Sequence, residues 1–356
     1  LIKQKVFQQI IKMYKYIILF FLIAGCSFDD KTGIWTGDGK KITKNNQNES
    51  LKPIFEKQKG YLKEINLINN KILNFENKKE NLNWKQKYSN NSNNFGNVNF
   101  RNIGEYKKLA KISKNSINED IFFYKGNLIY SDSKGNIGLH SLSENRKISN
   151  FNFYQKKFKR IKKKLNIILE DNFIYVSDNL GYVYCLDIEK NNIIWAKNFR
   201  IPFRSNIKIF KNTLFLVDEK NKIILIDLSN GNKIDELYTQ PAKAVSSFKN
   251  NLALDKKGNL LMLNTNGNLY SVNFISNKVI NWVRNFNTED QVVFNAMPLL
   301  TYNDKILITT DNKISLYTDT GLRIWDLNLS AEIAPVKSGN SIFMINEDNY
   351  LIIINE

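Results

Sequence analysis

The sequence predicts an all-β fold, a β-propeller of four-stranded blades. Three observations carry this. Short apolar runs separated by polar turns recur along most of the chain, starting at residues 129, 174, 214, 260, 306 and 342. Their spacing of 36 to 46 residues is that of a propeller blade. Within the runs apolar side chains alternate with period two, as in Tyr182-Val183-Tyr184-Cys185-Leu186-Asp187, which marks a strand and argues against a helical solenoid of similar period.

The chain has 356 residues and is 42% hydrophobic, enough to bury a core within one domain of this class. Its 23 Phe and 16 Tyr suit half-buried strands. Each repeat reads as a strand, a polar turn rich in Asn or Gly, a second strand, another polar turn and a third strand. Trp195, Trp282 and Trp325 end the third strand of their repeats, and Ile148 and Ile234 take that place in two others. A Trp there, packed over the neighbouring blade, buries a large apolar area. Gly181 and Gly267 stand 14 and 15 residues before their tryptophans, in the turn where the backbone must bend tightly or approach another segment. Pro202, Pro298 and Pro335 precede a repeat by 7 to 12 residues and Pro241 by 19. Proline lacks an N–H, so each is expected to open the innermost strand of a blade.

Trp84 lies ahead of the first repeat, and the last repeat stops at Glu356 without a Trp strand of its own. Two readings follow. A strand around Trp84 completes the last blade and closes a ring of about six, which is the favoured reading, or the chain is truncated at its C-terminus. About six repeats are visible, and six to eight blades are compatible with the pattern. The propeller domain is set at residues 83–356. Residues 26–82, dense in Lys, Asn, Gly and Glu, read as a tether.

The first 25 residues read as an address. Met13, a plausible start, opens a short basic region. Tyr16 to Ala24 form an apolar run that is too short to span a bilayer and matches a signal-peptide core. It ends in Leu22-Ile23-Ala24-Gly25-Cys26, which resembles the bacterial lipobox. That resemblance implies lipidation of Cys26, with several acyl chains giving stable anchoring. Ser27 after the cysteine favours the outer membrane, placing the mature chain on its periplasmic face.

Composition excludes several classes. Cys26 and Cys185 are the only cysteines, so no disulfide framework is possible. His140 is the only histidine, which excludes multi-histidine metal sites; it lies in a strand-like run and reads as structural or exposed. No dinucleotide, phosphate-loop or zinc-protease fingerprint is present, and Trp325-Asp326, the sole Trp-Asp pair, lacks the Gly-His of a WD40 repeat. The net charge of +18 is spread along the chain rather than gathered in a nucleic-acid-binding face. One exception, Lys156 to Lys164, holds seven basic residues in nine and reads first as a solvated inter-blade loop. Acidic residues at strand ends, among them Asp187, Asp227 and Asp319, read as turn formers. The segment Phe199 to Arg204 places two Arg and two aromatics beside a blade. Arg200, Phe203 and Arg204 are therefore the candidate partner contacts.

The run Gly181-Tyr182-Val183-Tyr184-Cys185-Leu186-Asp187 followed by Ile194-Trp195 resembles the PQQ-type propeller repeat. The resemblance covers roughly Trp84 to Glu356. Together with the lipobox it resembles the BamB family of outer-membrane assembly lipoproteins. The resemblance implies an eight-bladed ring that binds BamA-like periplasmic domains and assists unfolded outer-membrane protein clients, with no cofactor and no chemistry. Two alternatives are a periplasmic envelope-maintenance propeller with another partner and a PQQ-dependent dehydrogenase. The latter needs a quinone cage, a bound Ca²⁺ and a general-base carboxylate; many such enzymes also carry a pair of neighbouring cysteines, which this chain lacks.

Overall fold

The structure is a computed structural model. It describes residues 27–28, 35–36, 73–80, 83–99, 108–154, 158–245, 249–275, 278–287 and 292–356. Cys26, the apolar run before it and Lys156–Lys157 lie outside the described residues. The chain divides into two units, Leu1–Asn69 and Asn70–Glu356. In the first, β1 (Ser27–Phe28) pairs antiparallel with β2 (Trp35–Thr36).

The second unit holds six antiparallel sheets, each a simple meander. The first comprises β3 (Ile117–Tyr124), β4 (Asn127–Asp132), β5 (Asn136–Ser141) and β6 (Arg146–Asn152). The second comprises β7 (Leu165–Glu170), β8 (Phe173–Asp178), β9 (Tyr182–Asp187) and β10 (Asn192–Asn198). The third runs β11 (Lys208–Phe210), β12 (Thr213–Val217), β13 (Ile223–Asp227) and β14 (Lys233–Leu237). The fourth runs β15 (Asn251–Leu254), β16 (Leu260–Leu263), β17 (Asn268–Asn273) and β18 (Val279–Asn285). The fifth runs β19 (Leu300–Tyr302), β20 (Lys305–Thr309), β21 (Ile314–Thr318) and β22 (Arg323–Leu327). The last has three strands, β23 (Val336–Ser338), β24 (Ser341–Ile345) and β25 (Leu351–Asn355).

This is the expected propeller, with a shift of frame. The sequence repeats begin on the second strand of each sheet. In the third, fifth and last sheets the first strand, β11, β19 or β23, has only three residues and so left little periodicity to read. Trp195, Trp282 and Trp325 accordingly stand on fourth strands, β10, β18 and β22, rather than on third strands. Pro335 directly precedes β23, and Pro298 stands two residues before the start of β19. Pro202 precedes Phe203, which bridges Asp218, and Pro241 stands farther ahead of β15.

Sheets stack face to face. Ile129 of the first sheet packs with Ile174 and Val176 of the second. Val183 and Trp195 pack with Leu214 and Ile224 of the third. Phe215 and Leu225 meet Leu252 and Leu260. Leu261 and Leu263 meet Ile306 and Ile308. Leu307 and Leu316 meet Ile342 and Met344 of the last sheet. Each such side chain, taken from water, contributes about 1.5–3 kcal/mol before ordering costs. The both-sided burial explains runs such as Leu165–Leu169, buried at every residue.

Every four-stranded sheet has a register shift between its third and fourth strands, at Leu139/His140, Ile193/Trp195, Leu225/Ile226, Ser271/Val272 and Leu316/Tyr317. A bulge there adds twist where the blade splays outward. The outer strands carry charges, including Arg146, Lys197, Lys233, Arg284 and Arg323, which guard their unpaired edges. The first strands face the axis: β11 approaches β15, and β15 approaches β19.

The N-terminal segment departs from the expected closure. Trp84 pairs with Phe123 of β3, in the first sheet, and Gln86 bridges Ile168 of β7. Among the described residues β25 pairs only with β24. The segment around Trp84 therefore lies along the inner strands and does not complete the last blade. Its backbone is drawn there by inner strands whose axial edges have no neighbour in their own sheet.

Candidate functional site

The polar turns come first, because catalytic carboxylates would have to be found among them. Asp132, Asp178, Asp218 and Asn264 end the second strands of four successive sheets or follow them directly. In each, Oδ1 accepts two backbone N–H groups of the next turn: Lys134 and Asn136 at 2.9 and 3.0 Å, Leu180 and Tyr182 at 2.9 and 2.7 Å. The same pair is Lys220 and Lys222 at 2.9 Å each, then Asn266 and Asn268 at 3.1 and 2.9 Å. Asp187 and Asp227 do the same after third strands, toward Glu189 and Ser229. These are turn-forming side chains satisfying local N–H donors. Asp319 instead pairs with Lys257. Among the described residues, no group of three or more His, Cys, Asp or Glu is placed to hold a metal ion. His140 is buried, with Nε2 3.3 Å from Asn145 Oδ1, and is structural.

The predicted packing residues fall into a repeated device. The Trp195 indole Nε1 donates to Leu228 O in the next sheet at 2.8 Å, and a Cβ on Gly231 would sit 2.3 Å from its ring. Trp282 Nε1 donates to Asp319 O at 2.8 Å, and a Cβ on Gly321 would sit 2.7 Å from that ring. A tryptophan thus covers the glycine turn of the following blade. Trp325 packs in the same manner of place, half-buried at the junction with the last sheet. Gly181 and Gly267 occupy left-handed turns, φ +88° and +84°, against Ile201 backbone and Asn287 respectively. Trp84 is different. It is half-buried beside the first junction, edge-on to Phe95 at 4.9 Å between centroids.

The three contact candidates do not share one role. Phe203 is a core residue, 2% exposed, packed edge-on against Phe199 at 5.5 Å. It is corrected from surface contact to core. Arg204 is half-buried and ion-paired with Glu219 at 3.6 Å. Arg200 is exposed, on a left-handed residue with φ 61°. The loop is held at the Gly181 and Asp218 turns, through Phe199 N to Gly181 O at 2.8 Å and Glu219 N to Pro202 O at 2.9 Å. Arg200 therefore belongs to the end of the sheets that carries the second-to-third-strand turns. Of the basic run, Lys159, Arg160, Lys162 and Lys164 are exposed, whereas Lys163 is buried over the Tyr154 ring.

The opposite end carries the first-to-second-strand hairpins. There a polar cavity of about 610 Å³ opens between hairpin residues such as Asp255, Lys256, Asn303 and Asp304, with Asn90 and Asn91 of the axial segment also lining it. Beneath it lies a feature the sequence did not disclose. Lys208 on β11 is fully buried, and its Nζ donates to Gln86 Oε1, Asn90 O and Asn93 Oδ1 at 3.1, 2.8 and 2.6 Å. Three acceptors saturate an ammonium. Burial nevertheless pushes the Lys208 amine down to about 7, because desolvation penalises the charged form. Between second and third sheets, burial raises the Cys185 thiol to about 12. Tyr154 and Asp178 share a buried hydrogen bond, and burial raises both.

A family model described as outer membrane protein assembly factor BamB matches residues 140–356. The chain belongs to that family. Its propeller resembles the crystal structure of BamB from Moraxella catarrhalis, with a TM-score of 0.50, 11% identity and coverage of 65% of this chain and 67% of that one. It also resembles the computationally designed Ika8 protein, with a TM-score of 0.53, 11% identity and coverage of 67% and 71%. At such identity both likenesses speak for the fold alone. No curated protein matches the sequence.

Proposed function

We propose that this BamB-family propeller is a non-catalytic scaffold for inserting β-barrel proteins into the outer membrane. In this reading Cys26 carries the lipid that holds it to the periplasmic face. Its partners are BamA-like periplasmic domains, with unfolded outer-membrane proteins as clients. The single observation that carries the reading is the family match over residues 140–356.

The geometry supports a loop-mediated contact. Charged outer strands disfavour strand addition at the rim, so the ends of the sheets are the available surfaces. At the turn-bearing end Arg200 is exposed on a loop locked by backbone hydrogen bonds on both sides. A rigidly presented Arg loses little entropy on binding and suits an acidic or polar partner. The carboxylates at second-strand ends are engaged in turns, so a catalytic role for them would break the blades that present them.

The test is chemical crosslinking in cells followed by affinity purification. Recovery of the barrel-assembly complex supports the scaffold. Consistent recovery of an unrelated envelope partner, with the assembly complex absent, assigns another role. Cys26→Ser should release the protein from the membrane fraction; retention of the variant there would remove the lipid anchor from this account.

A further inference from the structure

The segment from Trp84 to Asn94 meets the first strands of all six sheets, in chain order. Trp84 exchanges both backbone hydrogen bonds with Phe123 of the first sheet, at 2.6 and 3.1 Å. Lys85 O accepts Leu169 N of the second at 2.8 Å. Asn91 Nδ2 donates to Ile209 O of the third at 2.8 Å, and Asn91 O accepts Leu254 N of the fourth at 2.8 Å. Ser92 O accepts Thr301 N of the fifth at 3.0 Å. Asn94 exchanges two bonds with the Lys337 backbone of the last, at 3.2 and 3.1 Å.

Asn93 is the most deeply placed of these residues. Its buried amide donates to Leu252 O at 2.9 Å and to Leu299 O at 2.7 Å, while its oxygen accepts from Lys208. All of its polar capacity toward the sheets is used. The segment bends sharply enough to follow the axis because Tyr88, Ser89 and Asn93 adopt left-handed backbone, with φ of 62°, 73° and 57°. Asparagine tolerates that conformation better than most residues, and its side chain reaches carbonyls that the bent backbone cannot. Ahead of this segment in the chain, residues 75–76 also contact the last sheet. Phe75 stacks on Phe343 at 5.5 Å, and Glu76 N donates to Ser338 Oγ at 3.1 Å.

The described apolar clusters join sheets one to two, two to three, three to four, four to five and five to six; among the described residues none joins the last sheet to the first. We propose that residues 84–94 form an axial latch, tying the first sheet to the last from inside the propeller, with Asn93 and Lys208 as its pin. The latch supplies by hydrogen bonds the connection that apolar packing supplies at the other junctions. Releasing it frees the first and last sheets to move apart while the five packed junctions hold.

Hydrogen exchange by mass spectrometry on the full chain tests this. In the wild type, residues 84–94 are expected to be protected to the same order as β11 and β15. Asn93→Ala and Lys208→Met are each expected to speed exchange about tenfold or more in the segment, in β3 and in β23 together. β8, β9, β12 and β13, inside packed junctions, are expected to stay unchanged. The exposed control Lys162→Ala changes none of them. Exchange of 84–94 at the rate of an unstructured peptide in the wild type overturns the proposal, as does a variant that loosens the segment without touching β3 and β23. Should the variants fail to fold, a site-specific protease sequence inserted after Asn99 gives an independent reading. After cleavage the N-terminal piece stays bound through size-exclusion chromatography if the latch is real, and separates if it is not.

Discussion

Adding a methyl group at Gly231 should cost far less once Trp195 is gone. Gly231 has φ +72°, and its Cβ would lie 2.3 Å from the Trp195 ring. In the wild type Gly231→Ala therefore carries two penalties. The left-handed conformation costs about 1–2 kcal/mol, and displacing the indole costs about 1–3 kcal/mol more. Trp195→Ala alone removes a buried indole and its 2.8 Å hydrogen bond to Leu228 O, a loss of about 3–5 kcal/mol. In the double variant the steric penalty vanishes, because the colliding ring is absent. The cycle should thus show a coupling of about 1–3 kcal/mol, the double variant being more stable than the sum of the single changes. Urea unfolding, with midpoints compared at constant slope, reads it directly. Additivity within about 0.5 kcal/mol would refute tryptophan-on-glycine packing as the joint between blades.

Three further outcomes follow from the same geometry. Gly181→Ala sets a Cβ 2.8 Å from Ile201 N, a backbone atom that cannot swing aside, whereas Gly126→Ala meets nothing within 4 Å. Thermal melting should show the first several degrees below the second, though both have positive φ; equal losses would mean the loop at Ile201 is free to move. Lys208 has its amine depressed to about 7 in the folded state, against 10.5 for the ordinary value, so the unfolded chain binds more protons between these limits. Stability from this group should rise with pH from about 7 upward, by at most about 1.4 kcal/mol per unit, and stay level below 7. Subtracting the pH profile of Lys208→Met from that of the wild type isolates it, and a flat difference from pH 7 to 9 would contradict the assignment. Cys185 is buried with its thiol held up at about 12, so alkylation at pH 8 should proceed only at the rate of unfolding. Immediate labelling of the native protein would show an open second junction.

The blades were legible because short apolar runs bounded by polar turns recur at near-constant spacing; the period-two alternation expected of Tyr182–Asp187 does not appear in its burial, since these strands are covered on both faces. Runs such as Tyr182–Asp187 and Leu260–Leu263 announce themselves by side-chain pattern alone. The tryptophans expected on third strands stand on fourth strands, because the frame read from the sequence began one strand late. The first strands were not legible. β11, β19 and β23 are short and carry buried polar residues, Lys208, Thr301 and Lys337, each bonded to the axial segment at Asn93, Ser92 and Asn94, more than a hundred residues away in the chain. Asn90 to Asn94 carry no strand pattern, and locally the segment is turns and irregular chain. Its order comes from four strands, β11, β15, β19 and β23, that the segment cannot foreshadow. Trp84 was misassigned for the same reason, because a tryptophan before the first repeat looks like a displaced blade residue until its pairing with Phe123 is seen. Phe203 was misplaced because an aromatic between two arginines reads equally well as an anchor or as core. Only burial decides.

The turn-bearing end of the propeller is the surface proposed to meet the assembly machinery. Photocrosslinking in living cells from an unnatural residue at position 200, compared with one at Lys256 on the opposite end, measures this directly. The account predicts an adduct with the BamA-like periplasmic domains from position 200 and a much weaker one from position 256. Adducts to other proteins alone, or a preference for position 256, would contradict it.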